Sequence, residues 1–95
     1  MKKKHICVYT SKKVLEHKKK DGAVYWKFAN CPKIMDEWWK KLDYDMRLYF
    51  AVNGFIVGYF EIDGWDLFDT VDFHSQTWKK IFPIPQKQFQ GFKYI

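Results

Sequence analysis

The sequence predicts an α+β fold: a small, partly closed mixed β-barrel of five or six strands with one or two helices, built as a single domain over residues 1–95. Three observations predict it. The apolar runs are short, β-branched or aromatic, and separated by turn residues. The strongest local signal is a hairpin at the middle of the chain. Only two stretches have helical character, so a helix covering one opening of a strand-built core accounts for the whole pattern.

Taken in order, His5 to Thr10 reads as a first strand. Ser11 is a candidate N-cap for a short helix ending near Lys19, Lys-rich with only Val14 and Leu15 apolar. Asp21-Gly22 signals a turn, and Ala23 to Ala29 a second strand with rings on both sides of its alternation. Pro32 opens the clearest helix: Asn30 or Cys31 caps it, and Ile34, Met35, Trp38 and Leu42 share one face. Asp36 and Glu37 lie early and Lys40 and Lys41 late, in agreement with the helix dipole.

The hairpin runs from Met46 to Ile62 and turns at Asn53-Gly54, a dipeptide suited to the positive backbone angles of a two-residue turn. Leu48, Phe50 and Val52 alternate on one strand, and Ile56, Gly58, Phe60 and Ile62 on the other. A glycine inside a strand marks a bulge, a bend or a close approach of another backbone, and Gly58 is so placed. Asp63-Gly64 predicts a turn into an irregular acidic stretch through Thr70. Val71 to Phe73 begins another strand, Trp78 to Phe82 leads into Pro83-Ile84-Pro85, and Phe89 to Ile95 closes the chain as a strand, because Phe92, Tyr94 and Ile95 are costly to leave in water.

At 95 residues the chain has room for one modest core, which argues against a large multi-step active site. Nine Phe, six Tyr and five Trp exceed what such a core needs, so some rings belong at the surface, where a cluster marks a contact for a partner or a flat ligand. Cys7 and Cys31 stand 24 positions apart without metal-ligand spacing and are expected to be reduced and packed. No apolar stretch approaches the roughly 20 residues that span a bilayer, and Lys2, Lys3 and Lys4 precede too short an apolar run for a signal peptide. A cytoplasmic protein without membrane association and without a cofactor is the simplest expectation.

The net charge of +6 is unevenly spread. Twelve lysines face four acids from Met1 to Leu42, seven acids face only Arg47 from Asp43 to Phe73, and four lysines face no acid from His74 onward. If the chain ends pair in space they form one basic face. Sixteen lysines to one arginine favour point charges on phosphate over bidentate base recognition, or a chain in which Lys is simply the solubilising residue.

The order of elements resembles the PUA-like superfamily, most closely its small ASCH-like and EVE-like bacterial and phage members. The likeness rests on Tyr25-Trp26-Lys27-Phe28 running into Pro32-Lys33, on "RLYFAVNGFIVGYFEI" (Arg47 to Ile62), and on "PIPQKQFQGFKYI" (Pro83 to Ile95). It implies a module that binds RNA or a modified nucleobase in a pocket beside the helix. The chain departs from the pattern where the amidohydrolase branch carries a lysine, since Ala23 and Val24 stand there, and in its scarcity of arginine. The first departure weighs against an enzyme, with no catalytic residue assigned, and the second against base-specific readout.

Nucleic-acid binding asks for cations along a phosphate path and rings on which bases stack. Tyr25, Trp26, Lys27 and Lys33 provide that interleaving once, and Trp78, Lys79, Lys80, Lys87 and Lys93 provide it again near the C-terminus. Strand alternation alone also produces such patterns, with the rings in the core and lysine on the solvated side. His5, His17 and His74 are too dispersed for a metal site, and Asp63, Asp66 and Asp69 lack the terminal Glu of a calcium loop.

Two functions follow. The favoured one is an RNA or single-stranded nucleic-acid binding module, with a modified base held by aromatic stacking beside a basic strand. The other is a small protein-interaction or inhibitor protein, of the kind a phage or mobile element encodes, acting on a protein partner through aromatic and charged patches. The position of the acids relative to Trp26 and Lys27 discriminates them: acids beside that strand oppose phosphate binding there, and a ring of lysines supports it.

Overall fold

The computed structural model describes residues 5–28, 46–66 and 70–95. Within them lie β1 (Ile6–Tyr9), α1 (Lys12–Lys18), β2 (Ala23–Lys27), β3 (Arg47–Val52), β4 (Phe55–Asp66), β5 (Thr70–His74), a 3-10 turn (Ser75–Thr77), β6 (Lys79–Pro85) and β7 (Phe92–Tyr94). The architecture is a mostly antiparallel, mixed sheet of seven strands in the order β2-β5-β4-β3-β1-β7, with β6 added beside β4. One pair, β1 with β3, is parallel. Seven strands exceed the five or six expected. The sheet path does not close on itself among the described residues, so the architecture established is a small mixed sheet with one helix. The helix expected from Pro32 lies outside the described residues, as does Lys33.

Local sequence explains several elements directly. Ser11 accepts a hydrogen bond from the Val14 amide at 3.2 Å, capping α1, whose Leu15 is buried against the sheet. At the hairpin tip Asn53 has φ 50° and Gly54 φ 89°, the paired positive angles of a turn whose twist matches that of the flanking strands. The two chain ends pair: β1 and β7 run antiparallel, with Cys7 opposite Lys93.

β4 organises the rest. Its first half is flanked by β3 and β6, and its second half pairs with β5. β5 and β6 form one return passage along β4, interrupted by the 3-10 turn, where Thr77 Oγ1 accepts from the Glu61 amide at 3.2 Å. Asp63-Gly64 does not turn the chain, contrary to expectation. β4 runs through it to Asp66, with a register slip between Ile62 and Gly64. A waiting partner strand outweighs local turn preference, and the pair Asp-Gly is absorbed as a bulge.

The core lies on one side of the sheet. Ile6, Val8, Leu48, Phe50, Phe60, Ile62, Val71 and Phe73 are buried there, with Leu15 of α1 and Val24 and Phe28 of the β2 segment. Phe60 is its hub, with ring centroids 5.4 Å from Phe50, 4.6 Å from Phe73 and 4.9 Å from Trp78. Gly58 admits that indole. A Cβ built on Gly58 would stand 2.5 Å from the Trp78 ring and from the Lys79 carbonyl, the close approach expected of a strand glycine. Phe92 and Tyr94 pack against this core, tying in the C-terminal strand.

Candidate nucleic-acid interface

On β2, Val24 and Trp26 face the core while Ala23, Tyr25 and Lys27 face outward. Trp26 meets Phe50 edge-on at 5.3 Å, so the ring is part of the packing and lies on the opposite side of the strand from Lys27. Tyr25 is 59% exposed, beneath the Lys18 ammonium at 5.1 Å from its ring centre. Across from it stands Asp72, exposed on β5. An acid therefore sits beside the outward Tyr25 and Lys27, which opposes phosphate binding on β2.

Of the C-terminal group, Trp78 is half-buried between Phe60 and the Lys19 ammonium, 5.3 Å from its ring centre. Lys80 and Lys87 are exposed but lie off one common row: Lys80 pairs with Gly58, on the other side of the ladder from Lys79, and Lys87 lies in the β6–β7 connection. Lys79 and Lys93 are different. Both are exposed, and the register places them at the two ends of one row across the sheet: Lys93 opposite Cys7, Cys7 beside Tyr49, Tyr49 opposite Tyr59, Tyr59 opposite Lys79. The five strands involved span about 19 Å at the usual inter-strand spacing.

This row lies on the side of the sheet away from the core, and the rings around it support one another. Tyr49 and Tyr59 have centroids 5.1 Å apart. The Arg47 guanidinium stacks over Tyr59 at 4.4 Å and donates to the Tyr49 hydroxyl at 3.2 Å. His5 meets Tyr49 edge-on at 5.9 Å, and its Nδ1 accepts from the Arg47 amide at 3.0 Å, which leaves the ring proton of the neutral form on Nε2. Tyr9 and Phe89 meet edge-on at 5.6 Å, with the Lys93 ammonium 6.0 Å from the Phe89 ring centre. Beneath them Cys7, Ala51 and Ile56 are buried, with Ile81 and Ile95 at the margins.

Cys7 is fully buried, packed with Ala51 and Ile56. Burial pushes its thiol from the ordinary 9.0 up to about 12, against a small opposing pull from the Lys93 ammonium. It also stands on β1, separated from His74 on β5 by β3 and β4. Two outcomes follow from the raised value. The native protein is expected to resist thiol alkylation at pH 8 at this position and to react once unfolded. The folded state holds its proton more tightly than the unfolded one, so this group's stabilising contribution is complete below pH 9 and is lost as pH rises from 9 towards 12. Denaturation curves of wild type and Cys7→Ala across that range measure the loss.

Sequence reasoning missed Arg47, Tyr49, Tyr59 and Tyr9. The signal was present in the alternation of Arg47, Tyr49 and Ala51 against Leu48, Phe50 and Val52, which puts the first set on the face opposite the core.

A cleft of about 480 Å³ opens where β4 passes from β6 to β5. It is lined by Glu61, Ile62, Asp63, His74 and Thr77. Among the described residues no group of three or more His, Cys, Asp or Glu side chains is arranged to hold a metal ion, and no helix is long and apolar enough to cross a membrane.

Comparison with known proteins returns no significant match: no family model, no curated protein and no solved structure is similar to the chain at that level.

Proposed function

We propose that the chain binds single-stranded nucleic acid, RNA foremost, on the outer face of the β7-β1-β3-β4-β6 sheet. The observation that carries this reading is the row Lys93–Cys7–Tyr49–Tyr59–Lys79, which sets a cation at each end of an aromatic centre. Sheet faces of this composition suit single strands: splayed bases stack on rings for about 1–3 kcal/mol each, and flanking lysines neutralise phosphates. Tyr9, Tyr49 and Phe89 are the half-exposed rings on which stacking falls, and a modified base is accommodated by the same contacts. Arg47 holds Tyr59, and the exposed Glu61 opposite it offsets its charge, so the cations of this face are Lys79 and Lys93. The PUA-like resemblance belongs to this proposal; the mixed sheet and the bulged central strand support it, and the open sheet path is the feature least like a closed barrel.

Binding of fluorescent single-stranded and duplex RNA and DNA across a salt series tests the reading. Affinity should favour single strands and fall steeply with salt. In the double variant Lys79→Gln/Lys93→Gln the slope of log K against log salt is expected to shrink by about 1.4, since each phosphate contact on a single strand contributes about 0.7. Both side chains are exposed, so the fold should be unaffected. Binding with an unchanged slope would place the interface elsewhere, and no binding by the wild type at low salt would end the proposal.

A further inference from the structure

Phe82 is 90% exposed, the most exposed large apolar side chain among the described residues. The register explains it. Ile56 pairs with Ile84 and Gly58 with Lys80, so a single residue of β4, Val57, faces Ile81, Phe82 and Pro83 of β6, and the outer strand bows away from the sheet with Phe82 at the middle of the bulge. Pro83, Ile84 and Pro85 continue the exposed apolar surface, and Phe55, 45% exposed, adds to it opposite Pro85. The Gln86 amide donates to the Gly54 carbonyl on the β4 side at 2.8 Å, so by alternation Pro83 and Pro85 stand where an amide would face outward, and proline has none. The wedge therefore accepts no added strand at those positions and carries no N–H there to desolvate.

Charge is segregated about this wedge. The exposed Lys80 and Lys87 flank it, and no acid occurs from His74 to the end of the chain. The exposed acids of β4, Glu61 and Asp63, begin six residues beyond Phe55, on the order of 20 Å along the strand. We infer that this end of the molecule docks on an anionic lipid surface, with Phe82 inserted at the boundary of headgroups and acyl chains and Lys80 and Lys87 on the acidic headgroups. A convex wedge suits a fluid phase that closes around it. A protein partner would have to offer a matching pocket and hydrogen bonds, about one per 100–200 Å² of contact, for which a proline edge supplies no donor. The acids at the far end of β4 stand clear of the negative surface. Insertion of one apolar wedge and attraction of two cations are separately weak and add, so binding is reversible and needs both, and it involves no spanning segment. The contact uses neither Tyr49 nor Lys93, so it stands or falls independently of nucleic-acid binding.

Flotation with vesicles of phosphatidylcholine alone, and of equal parts phosphatidylcholine and phosphatidylserine, tests this. The wild type should float with the mixed vesicles, stay behind with phosphatidylcholine, and be released as salt rises. Phe82→Ala should weaken binding about tenfold or more, and Lys80→Gln and Lys87→Gln about fivefold each, whereas Phe82→Trp should retain it. Lys93→Gln, on the nucleic-acid face, should bind vesicles like the wild type. All these side chains are exposed, so circular dichroism should show every variant folded. A wild type that ignores the mixed vesicles at low salt overturns the inference. So does binding unchanged by Phe82→Ala, or weakened as much by Lys93→Gln as by Lys80→Gln, since either marks general adsorption of a basic protein. Polyglutamate probes the other class of partner: if it binds the wild type as tightly as the mixed vesicles do, with the same loss in Phe82→Ala, the occupant is an acidic polypeptide and the lipid inference fails.

Discussion

Phe60→Ala is expected to lower the free energy of unfolding by about 3–5 kcal/mol, the range for removing a fully buried ring without collapse of the site. Phe60 is 0% exposed and contacts Phe50 of β3, Phe73 of β5 and Trp78, the residue that leads into β6. Its loss therefore loosens three strands at once. A domain of this size has a total stability of about 5–15 kcal/mol, so the variant sits near the edge of folding. Urea denaturation of the two proteins measures the difference. Phe82→Ala is the control, expected within about 0.5 kcal/mol because the ring is already in water. A cost for Phe60→Ala below about 1 kcal/mol would contradict the hub position.

Gly58→Ala is expected to cost about 3 kcal/mol, at the upper end for adding a methyl group to a packed site. The clash is steric. The new Cβ would meet the Lys79 carbonyl and the Trp78 ring at 2.5 Å, and a backbone carbonyl within a sheet has nowhere to swing. β6 would have to move off β4, taking Lys79 with it and breaking the row on the outer face. Amide hydrogen exchange should show protection lost along β6 while β1 and β3 keep theirs, and affinity for single-stranded RNA should fall alongside. Gly64→Ala separates this effect from loss of glycine as such, since its nearest neighbour, Asp72 Oδ2, would stand at an ordinary 3.6 Å.

Both predictions concern the link between the two faces of the sheet. The core face fixes the register, and the register sets which side chains share the outer face. Phe50 pairs with Gly58 but Ala51 with Ile56, so Val57 is an extra residue in β4. Without that bulge the alternation would carry Phe55 and Ile56 to the opposite faces. The platform of Tyr49, Tyr59 and Arg47 is thus a by-product of how the core packs, which is why the isolated motif around Trp26 and Lys27 gave little guide to it.

The sequence by itself determined what depends on a few consecutive residues. Asn53-Gly54 sets the hairpin, Ser11 caps α1, and the alternation of Leu48, Phe50 and Val52 selects the buried side of β3, because turn angles, caps and strand periodicity are short-range properties. The burial of Phe92 and the pairing of the C-terminal strand followed from the cost of leaving its rings in water. Tertiary structure alone decided that Asp63-Gly64 is a bulge inside a strand, that Trp26 faces inward and Lys27 outward, and that Lys93, Cys7, Tyr49, Tyr59 and Lys79 form one row. That row joins five strands scattered from one end of the chain to the other. No single segment encodes its partner's register, which is fixed only when the strands pair and their apolar sides close over a common core.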